Sequence, residues 1–192
     1  MSALTYILIG AAMIGIAAMI KTRYVSFWAQ KPVDYTDGPI FDIRERFNGP
    51  ILCEGVIYGP TGRVSSRFVA DFEASWNGNV GTMKETFHYD SGAVQKREWT
   101  LTLGNDGRIK AEAPDVIGAG FGRQEGSAVS LNYRIKLTEK AGGHALDVTD
   151  WMYLMANGSI MNRSQFRKFG IKVAELVATM RPREANQQFV GE

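Results

Sequence analysis

The sequence predicts an all-β fold, an up-and-down antiparallel barrel of about eight to ten strands, preceded by one transmembrane helix. Three observations lead to this prediction. The chain begins with a long apolar run, turn signals recur about every ten residues in the rest of it, and the segments between turns alternate apolar with polar residues. Many sequential strands with one buried face leave two exposed edges unless the sheet closes, and this favours a barrel.

The apolar run over Ala3–Ile20 carries no charged side chain and is followed by Lys21 and Arg23. At 1.5 Å per residue it spans roughly 27 Å as a helix, close to the hydrocarbon thickness of a bilayer. A removable secretory signal would need a basic start and a small-residue cleavage site before a polar segment, and both are poor here. Only Met1 and Ser2 precede the run, and the best cleavage candidate, Gly15-x-Ala17, is followed by further apolar residues. We therefore predict an uncleaved anchor over residues 1–23.

The segment after the anchor, residues 24–48, is predicted as a juxtamembrane linker. Its aromatic residues Tyr24, Phe27 and Trp28 suit the lipid headgroup layer, and its prolines and glycines disfavour regular structure. The barrel domain is expected over 49–182, with a polar C-terminal tail over 183–192. The chain has 22 Lys and Arg against 20 Asp and Glu with no block of like charge, so nucleic acid is not an expected partner.

Regular alternation is clearest over 64–76, where apolar residues take nearly every second position and polar ones lie between them. This pattern indicates strands with one apolar face and one solvated face. Further alternating segments begin near Gln95, Val129 and Ile171. The turn signals between segments are Gly59-Pro60-Thr61-Gly62, Asn77-Gly78, Asp90-Ser91-Gly92, Gly104-Asn105-Asp106-Gly107, Gly126, Gly142-Gly143 and Ala156-Asn157-Gly158.

Two hairpins allow the strand register to be predicted. A two-residue loop at Asn77-Gly78 would place Phe72 opposite Met83. The next hairpin would use the three-residue loop over 90–92.

The second hairpin places Glu85 directly across from Arg97 on the inward face. An ion pair inside a barrel is unusual because desolvating each charge costs several kcal/mol. It is either a core polar network that fixes the register, or the polar floor of a ligand cavity where the arginine holds a carboxylate or phosphate. Both interpretations stay open from the sequence.

A resemblance to a known family rests on spaced motifs over about residues 47–181. This stretch resembles an uncharacterised proteobacterial family, domain of unknown function thirty-eight thirty-three. The resemblance implies a lipocalin-like barrel held in the cell envelope, with many lipoproteins among the relatives, and no known activity. The motifs are Phe47-Asn48-Gly49, Glu54-Gly55, Arg67-Phe68, Gly81-Thr82-x-x-Glu85-x-Phe87-x-Tyr89-x-x-Gly92, Arg97-x-Trp99, Asp115-Val116-x-Gly118-x-Gly120-x-Gly122, Asp150-Trp151-Met152-Tyr153, Asn162-Arg163-Ser164 and Lys168-Phe169-Gly170.

The chain departs from those relatives at its start, because no lipobox cysteine follows the apolar run and Cys53 falls inside the first predicted strand. A helical anchor would replace the lipid. The relatives favour a single-pass protein of the bacterial inner membrane with a periplasmic domain. The alternative is the cytoplasmic face, because Lys21, Arg23 and Lys31 all follow the span and the positive-inside rule would keep them in the cytoplasm.

Other candidate chemistry is weak. The glycine-rich segment 118–122 lacks the last glycine of a dinucleotide fingerprint and is interpreted as a kinked strand. His88 and His144 lack metal-ligand spacing, so neither a metal nor a cofactor is expected. Asp150 alternates with apolar residues and is expected to point inward, near Tyr133 of the preceding strand. The segment 162–168 is interpreted as a basic turn before the last strand, by default a solvated loop and alternatively a contact for an anionic ligand.

Three functions remain open. The leading one is a membrane-tethered, lipocalin-like module of unknown specific role that binds a small apolar or amphiphilic ligand. The alternatives are a structural or accessory subunit docked on a membrane-protein partner, and an enzyme that uses interior carboxylates, which is the weakest because no nucleophile with an adjacent base accompanies them. The residues predicted to line the barrel interior and contact a ligand are Phe68, Phe72, Glu85, Phe87, Arg97, Trp99, Tyr133 and Asp150.

Overall fold

The computed structural model describes residues 2–183, so nearly all of the predicted polar tail lies outside the described residues. A long helix at the N-terminus is followed by short helical turns and ten strands. The elements are α1 (Ala3–Ile20), a π-helical turn (Lys21–Val25), 3₁₀ turns (Phe27–Ala29, Pro32–Tyr35 and Glu139–Ala141), α2 (Ile43–Arg46), β1 (Gly49–Tyr58), β2 (Val64–Asn77), β3 (Val80–Tyr89), β4 (Val94–Leu103), β5 (Arg108–Glu112), β6 (Gly120–Glu125), β7 (Ala128–Lys136), β8 (Ala145–Leu154), β9 (Ile160–Lys168) and β10 (Ile171–Pro182).

The ten strands form one closed antiparallel barrel in which each strand pairs with its neighbours in sequence. β1 closes the barrel by pairing with β10, with Cys53 opposite Met180. The predicted up-and-down barrel is therefore confirmed, at the upper limit of the expected strand number. Closure removes the two sheet edges that would otherwise expose unpaired backbone groups.

The N-terminal helix α1 and the turn that continues it form a segment, Ala3–Val25, that is long and apolar enough to cross a membrane. None of its residues is buried against the barrel. Ser2 caps the helix by accepting a hydrogen bond from the backbone N–H of Thr5. Over residues 2–183 it is the one helix with this length and composition.

The first hairpin differs from the predicted register. Asn77 pairs with Val80, so the loop is Gly78-Asn79 and Phe72 lies opposite Glu85 instead of Met83. Gly78 has a φ of 58° and Asn79 has no positive φ, the combination of a type II′ turn with glycine at its first central position. The loop was therefore predicted one residue too early in the chain. This shift of one residue moves each cross-strand partner by two positions, so the same side chains still face the interior.

The second hairpin has the predicted register, with Glu85 directly opposite Arg97. The predicted basic turn over 162–168 was wrong, because these residues belong to strand β9. The inward positions of β9 include Asn162 and Ser164, so both faces of this strand carry polar residues. The sequence therefore lacked the apolar alternation by which strands are recognised.

One end of the barrel is closed by a plug made of Phe41, Ile43 and Phe47, each at most 2% exposed. Phe41 and Phe47 meet edge to face at 6.0 Å. The indole of Trp76 donates to the Phe47 carbonyl at 2.7 Å, which fixes the plug to the end of β2. The segment predicted as a linker thus contributes three buried side chains to the core of the barrel.

The opposite end of the barrel, here called the mouth, carries the connections over 59–63, 90–93, 113–119, 137–144 and 169–170. Residues that line the interior near the mouth are partly exposed, among them Ile57, Tyr89 and Phe166. Since the plug residues are buried and these are not, the interior opens at the mouth.

Residues 27–35, here called the outer strap, lie on the outer faces of β8 and β9. The Tyr35 ring contacts Trp151 at 5.4 Å and Tyr153 at 5.1 Å between centroids. Gln30 accepts a hydrogen bond from the Tyr153 hydroxyl at 2.7 Å. Trp151 is only 3% exposed, so an outward residue of β8 is buried by the strap instead of by the interior.

Candidate functional site

The barrel encloses a cavity of about 230 Å³ that opens at the mouth. Its wall is mainly apolar, with a small polar group at mid-height. All eight residues that the sequence analysis singled out line this cavity, namely Phe68, Phe72, Glu85, Phe87, Arg97, Trp99, Tyr133 and Asp150. Their role in binding a ligand stays a prediction.

An aromatic cluster forms one wall of the cavity. Phe87 packs edge to face on Phe68 at 5.3 Å and on Phe72 at 5.5 Å between ring centroids. It stacks on Tyr89 towards the mouth at 6.1 Å, and the Tyr89 hydroxyl donates to Gln95 Oε1 at 3.1 Å. These residues lie on β2, β3 and β4, where strand alternation turns every second side chain inward.

Arg97 also lines the cavity but does not form the predicted ion pair. Its Nε donates to Asp115 Oδ1 at 3.0 Å, and no ion pair within 4.0 Å joins it to Glu85 in the part of the chain that is described. The guanidinium lies over the Trp99 ring at 4.1 Å and near the Tyr133 ring at 5.7 Å. Within residues 2–183 its Nη2 is buried and has no partner at hydrogen-bond geometry, although the guanidinium lies close enough to the Tyr133 side chain for each to shift the other's pKa. A buried N–H donor without an acceptor is costly unless a ligand supplies one.

Glu85 lies in the same cavity and is 6% exposed. Burial is the largest influence on its carboxyl and raises its pKa to about 8. The positive charge of Arg97 lowers this pKa, and the negative charge of Asp150 raises it. Near neutral pH the carboxyl is therefore mostly protonated, and it presents an O–H donor and a neutral surface to the cavity.

Asp150 is the second interior carboxyl, held by two side chains of β9. Its Oδ1 accepts from Ser164 Oγ at 2.7 Å and from Asn162 Nδ2. Burial raises its pKa, and these two hydrogen bonds oppose the rise. Within residues 2–183 no hydrogen bond joins Asp150 to Glu85, although the charge of Asp150 contributes to the raised pKa of Glu85.

Asn162 and Ser164 line the cavity but were not predicted to face the barrel interior, because their segment was interpreted as a basic turn. The signal that could have found them is the spacing of Asn162, Ser164 and Phe166, which is the period of a strand. Cys53 also lines the cavity, and burial raises the pKa of its thiol. Such a thiol is unreactive. Among the described residues no group of three His, Cys, Asp or Glu side chains could hold a metal ion.

Comparisons with known proteins relate the chain to lipocalin-like barrels. The model of the family described as "Protein of unknown function (DUF3833)" matches residues 22–182. The S-type phycobiliprotein lyase CPES from Guillardia theta is 11% identical, with a TM-score of 0.56 over 75% of this chain and 92% of that chain. Rv2717c from M. tuberculosis is 15% identical, with a TM-score of 0.51 over 72% of this chain and 94% of that chain. No curated protein matches the sequence.

Proposed function

The chain belongs to the DUF3833 family of proteins of unknown function, and from this membership and the cavity we propose that it is a membrane-tethered, lipocalin-like module that binds a small amphiphile. The ligand has an apolar body and an anionic head. One observation carries the proposal: Arg97 lines a cavity whose wall is mainly apolar, and among the described residues its Nη2 is buried without a hydrogen-bond partner.

The size of the cavity limits the apolar body. A volume of about 230 Å³ lies below the range of roughly 300–1,000 Å³ typical of drug-sized ligands. It suits a single ring system or a short alkyl chain. Phe68, Phe72 and Phe87 would cover such a body, because aromatic walls bury apolar surface with little loss of side-chain entropy.

Arg97 would hold the anionic head. Its Nε contact with Asp115 and its position over Trp99 fix the guanidinium plane before a ligand arrives. A carboxylate or phosphate oxygen would then accept from the guanidinium in a charge-assisted hydrogen bond, one of the stronger kinds in proteins. The protonated carboxyl of Glu85 adds no repulsion near neutral pH.

For location we propose the bacterial inner membrane, with α1 as the span and the barrel on the periplasmic side. Support for the span is the length and composition of Ala3–Val25. The envelope location implied by the family resemblance favours the periplasm. A labelling test uses Asn105→Cys, an exposed position at the closed end. An impermeant maleimide should label this variant in spheroplasts, whereas labelling only after lysis would place the barrel in the cytoplasm.

Binding can be tested with the full chain in lipid nanodiscs by calorimetry. The probes are 4-phenylbutyrate and its neutral amide, which share one apolar body and differ in the charge of the head. We expect the carboxylate to bind at least about tenfold more tightly than the amide, the effect of one charge-assisted hydrogen bond. Empty nanodiscs provide the background. Equal affinity for both probes, or no heat from either, would contradict the proposal.

Native mass spectrometry of the detergent-extracted protein provides a second test. A bound small amphiphile lost on Arg97→Met would support the binding function. A stoichiometric membrane protein, with an empty cavity, would instead support the accessory-subunit alternative.

A further inference from the structure

The β9–β10 turn at the mouth has a residue that is unfavourable for its backbone. Phe169 and Gly170 both have positive φ, 52° and 79°, as in a type I′ turn, whose favoured sequence is Asn-Gly. A bulky side chain with φ near 52° is a conformational outlier that costs free energy. Phe169 is nevertheless the only non-glycine residue with positive φ among residues 2–183.

Packing within the molecule does not offset this cost. The Phe169 side chain is 90% exposed, and the ammonium of Lys168 lies 5.8 Å from its ring centroid. Ile171, the next residue beyond the turn, is 70% exposed. An aromatic ring beside an aliphatic side chain and a lysine is the composition that favours the lipid headgroup layer.

Other large apolar side chains are exposed around the mouth, on separate strands and loops. The closed end exposes some as well, so exposure alone does not orient the barrel. The exposed apolar residues near the mouth are Val64, Val94, Ile117, Phe121, Phe169 and Ile171, and those at the closed end are Ile40, Val80 and Met155.

The point where the membrane-span segment meets the barrel decides which end of the barrel faces the bilayer. The membrane-span segment ends at Val25, and three residues later the ring of Trp28 lies 4.5 Å from the Arg167 guanidinium on the outer face of β9. Three residues reach at most about 11 Å. Arg167 is two residues from Phe169 along the strand, roughly 7 Å.

A second contact holds the start of the outer strap against the outer face of β9. The Phe27 ring lies 5.0 Å from the Arg163 guanidinium, whose Nε is 2.5 Å from Glu175 Oε1. Lys172 Nζ contacts the other oxygen of Glu175 at 2.6 Å. The strap then runs away from the mouth towards Tyr153 and the plug. The closed end therefore lies one strand length, roughly 30 Å along β9 and its neighbours, from the turn next to the span.

We propose that the mouth of the barrel docks on the surface of the phospholipid bilayer that holds α1, with Phe169 and Ile171 in the headgroup layer. This inference rests on the membrane tethering in the proposed function. It goes beyond that function by assigning a lipid-contact surface and a source for the ligand. Since the cavity opens at the mouth, an amphiphile would pass between the bilayer and the cavity without crossing bulk water.

Depth-dependent quenching tests the inference in the full chain. Phe169→Cys and Asn105→Cys would each carry a nitrobenzoxadiazole label in liposomes of phosphatidylcholine and phosphatidylglycerol. Cys53 is buried and remains unlabelled. With a doxyl group near the lipid headgroup, the label at position 169 should lose about half of its fluorescence, and the label at 105 should lose none. Ile171→Cys keeps the natural Phe169 side chain and repeats the measurement at a second position.

The controls separate the two proposals. Liposomes are first washed with alkaline carbonate, which removes proteins that do not span the bilayer. A chain retained after the wash, with unquenched labels at 169 and 171, would overturn the docking and leave the tether intact. Quenching at 105 equal to that at 169 would overturn it too. Release by carbonate would refute the tether, and the docking with it.

Discussion

Asp115 holds the guanidinium of Arg97, with Nε and Oδ1 3.0 Å apart. Glu85, which lies directly across the β3–β4 ladder from this arginine, does not take that place. Asp115 belongs to a connection at the mouth and keeps about a quarter of its side chain exposed, so its negative charge is partly solvated. Glu85 is buried and has a raised pKa. The Asp115 carboxylate thus orients the arginine, while the Glu85 carboxyl stays protonated and uncharged near neutral pH.

Replacing Arg97 should separate charge recognition from apolar binding. In Arg97→Met we expect the affinity for 4-phenylbutyrate to fall about ten- to a hundredfold, because the ligand loses a charge-assisted hydrogen bond. Affinity for the neutral amide should stay within about twofold. Calorimetry in nanodiscs provides the measurement. Lys96→Met, an exposed neighbour on β4, is the matched control and should change neither value. An equal loss for both probes would assign Arg97 a purely structural role.

Binding of an anion should weaken as Glu85 ionises. The pKa of Glu85 is about 8, so the affinity for 4-phenylbutyrate should fall about tenfold between roughly pH 6.5 and pH 9.5 as a negative charge forms beside the head. The amide should show no such trend. Glu85→Gln should remove the pH dependence and keep the affinity measured at the lower pH. A trend that persists in Glu85→Gln would point to another group.

The same carboxyl predicts how stability changes with pH. A carboxyl whose pKa rises on folding, here from 4.5 to about 8, stabilises the folded state below pH 4.5 and loses that contribution as pH rises to 8. Glu85→Gln should therefore unfold at a higher temperature than the natural chain near pH 8. The expected gain is about 4 kcal/mol in the free energy of unfolding near pH 8, shrinking to less than about 0.5 kcal/mol at pH 4.5. Scanning calorimetry at both pH values would measure it; a difference independent of pH would contradict the assignment.

Removing one plug side chain should destabilise the barrel strongly. Phe41 is 1% exposed, so Phe41→Ala should cost about 3–5 kcal/mol through lost burial and the space left behind. Ile40→Ala is the matched control at the preceding, 79% exposed position, and should change stability by less than about 0.5 kcal/mol. Denaturant unfolding of both variants provides the comparison. Similar midpoints would show that the plug adds nothing to the core.

Relieving the backbone conformation at Phe169 should stabilise the protein. Phe169→Asn gives the Asn-Gly sequence that the type I′ turn favours, and we expect a gain of about 0.5–1 kcal/mol, or roughly 2–4 °C in Tm. The same variant should bind less strongly to the bilayer surface. A drop in Tm would mean that the Phe169 ring makes intramolecular contacts important for the fold.

Much of the barrel could be predicted because alternation and turn residues report local backbone geometry directly. The turn over 90–92 fixed the register of Glu85 and Arg97, since one loop length allowed one pairing. The first hairpin was misplaced because the sequence Asn77-Gly78-Asn79 contains two possible turns, and the backbone uses the one that begins with glycine. Choosing between them requires the φ values of the folded chain.

Other features depend on contacts between distant residues, which local patterns do not record. Strand β9 was missed because inward Asn162 and Ser164 hide the apolar period, and their purpose is evident only beside Asp150. The partner of Arg97 was missed because Asp115 lies in a connection outside the ladder. The plug residues Phe41 and Phe47 follow no strand period. Their burial depends on an end of the barrel that forms only when all ten strands are in place.

Pairing of β1 with β10 has a consequence for biosynthesis. The first strand begins at residue 49 and its partner ends at residue 182, so the ladder between them cannot be completed until almost the whole chain has left the ribosome. Loop closure over such a separation slows folding, and the unfinished sheet exposes strands able to aggregate. The hydrophobic helix α1 meanwhile precedes all ten strands in the chain and emerges before them. With α1 as the membrane span that we propose, nascent chains would be held at the translocation machinery before they acquire tertiary structure, which would keep unfinished copies apart.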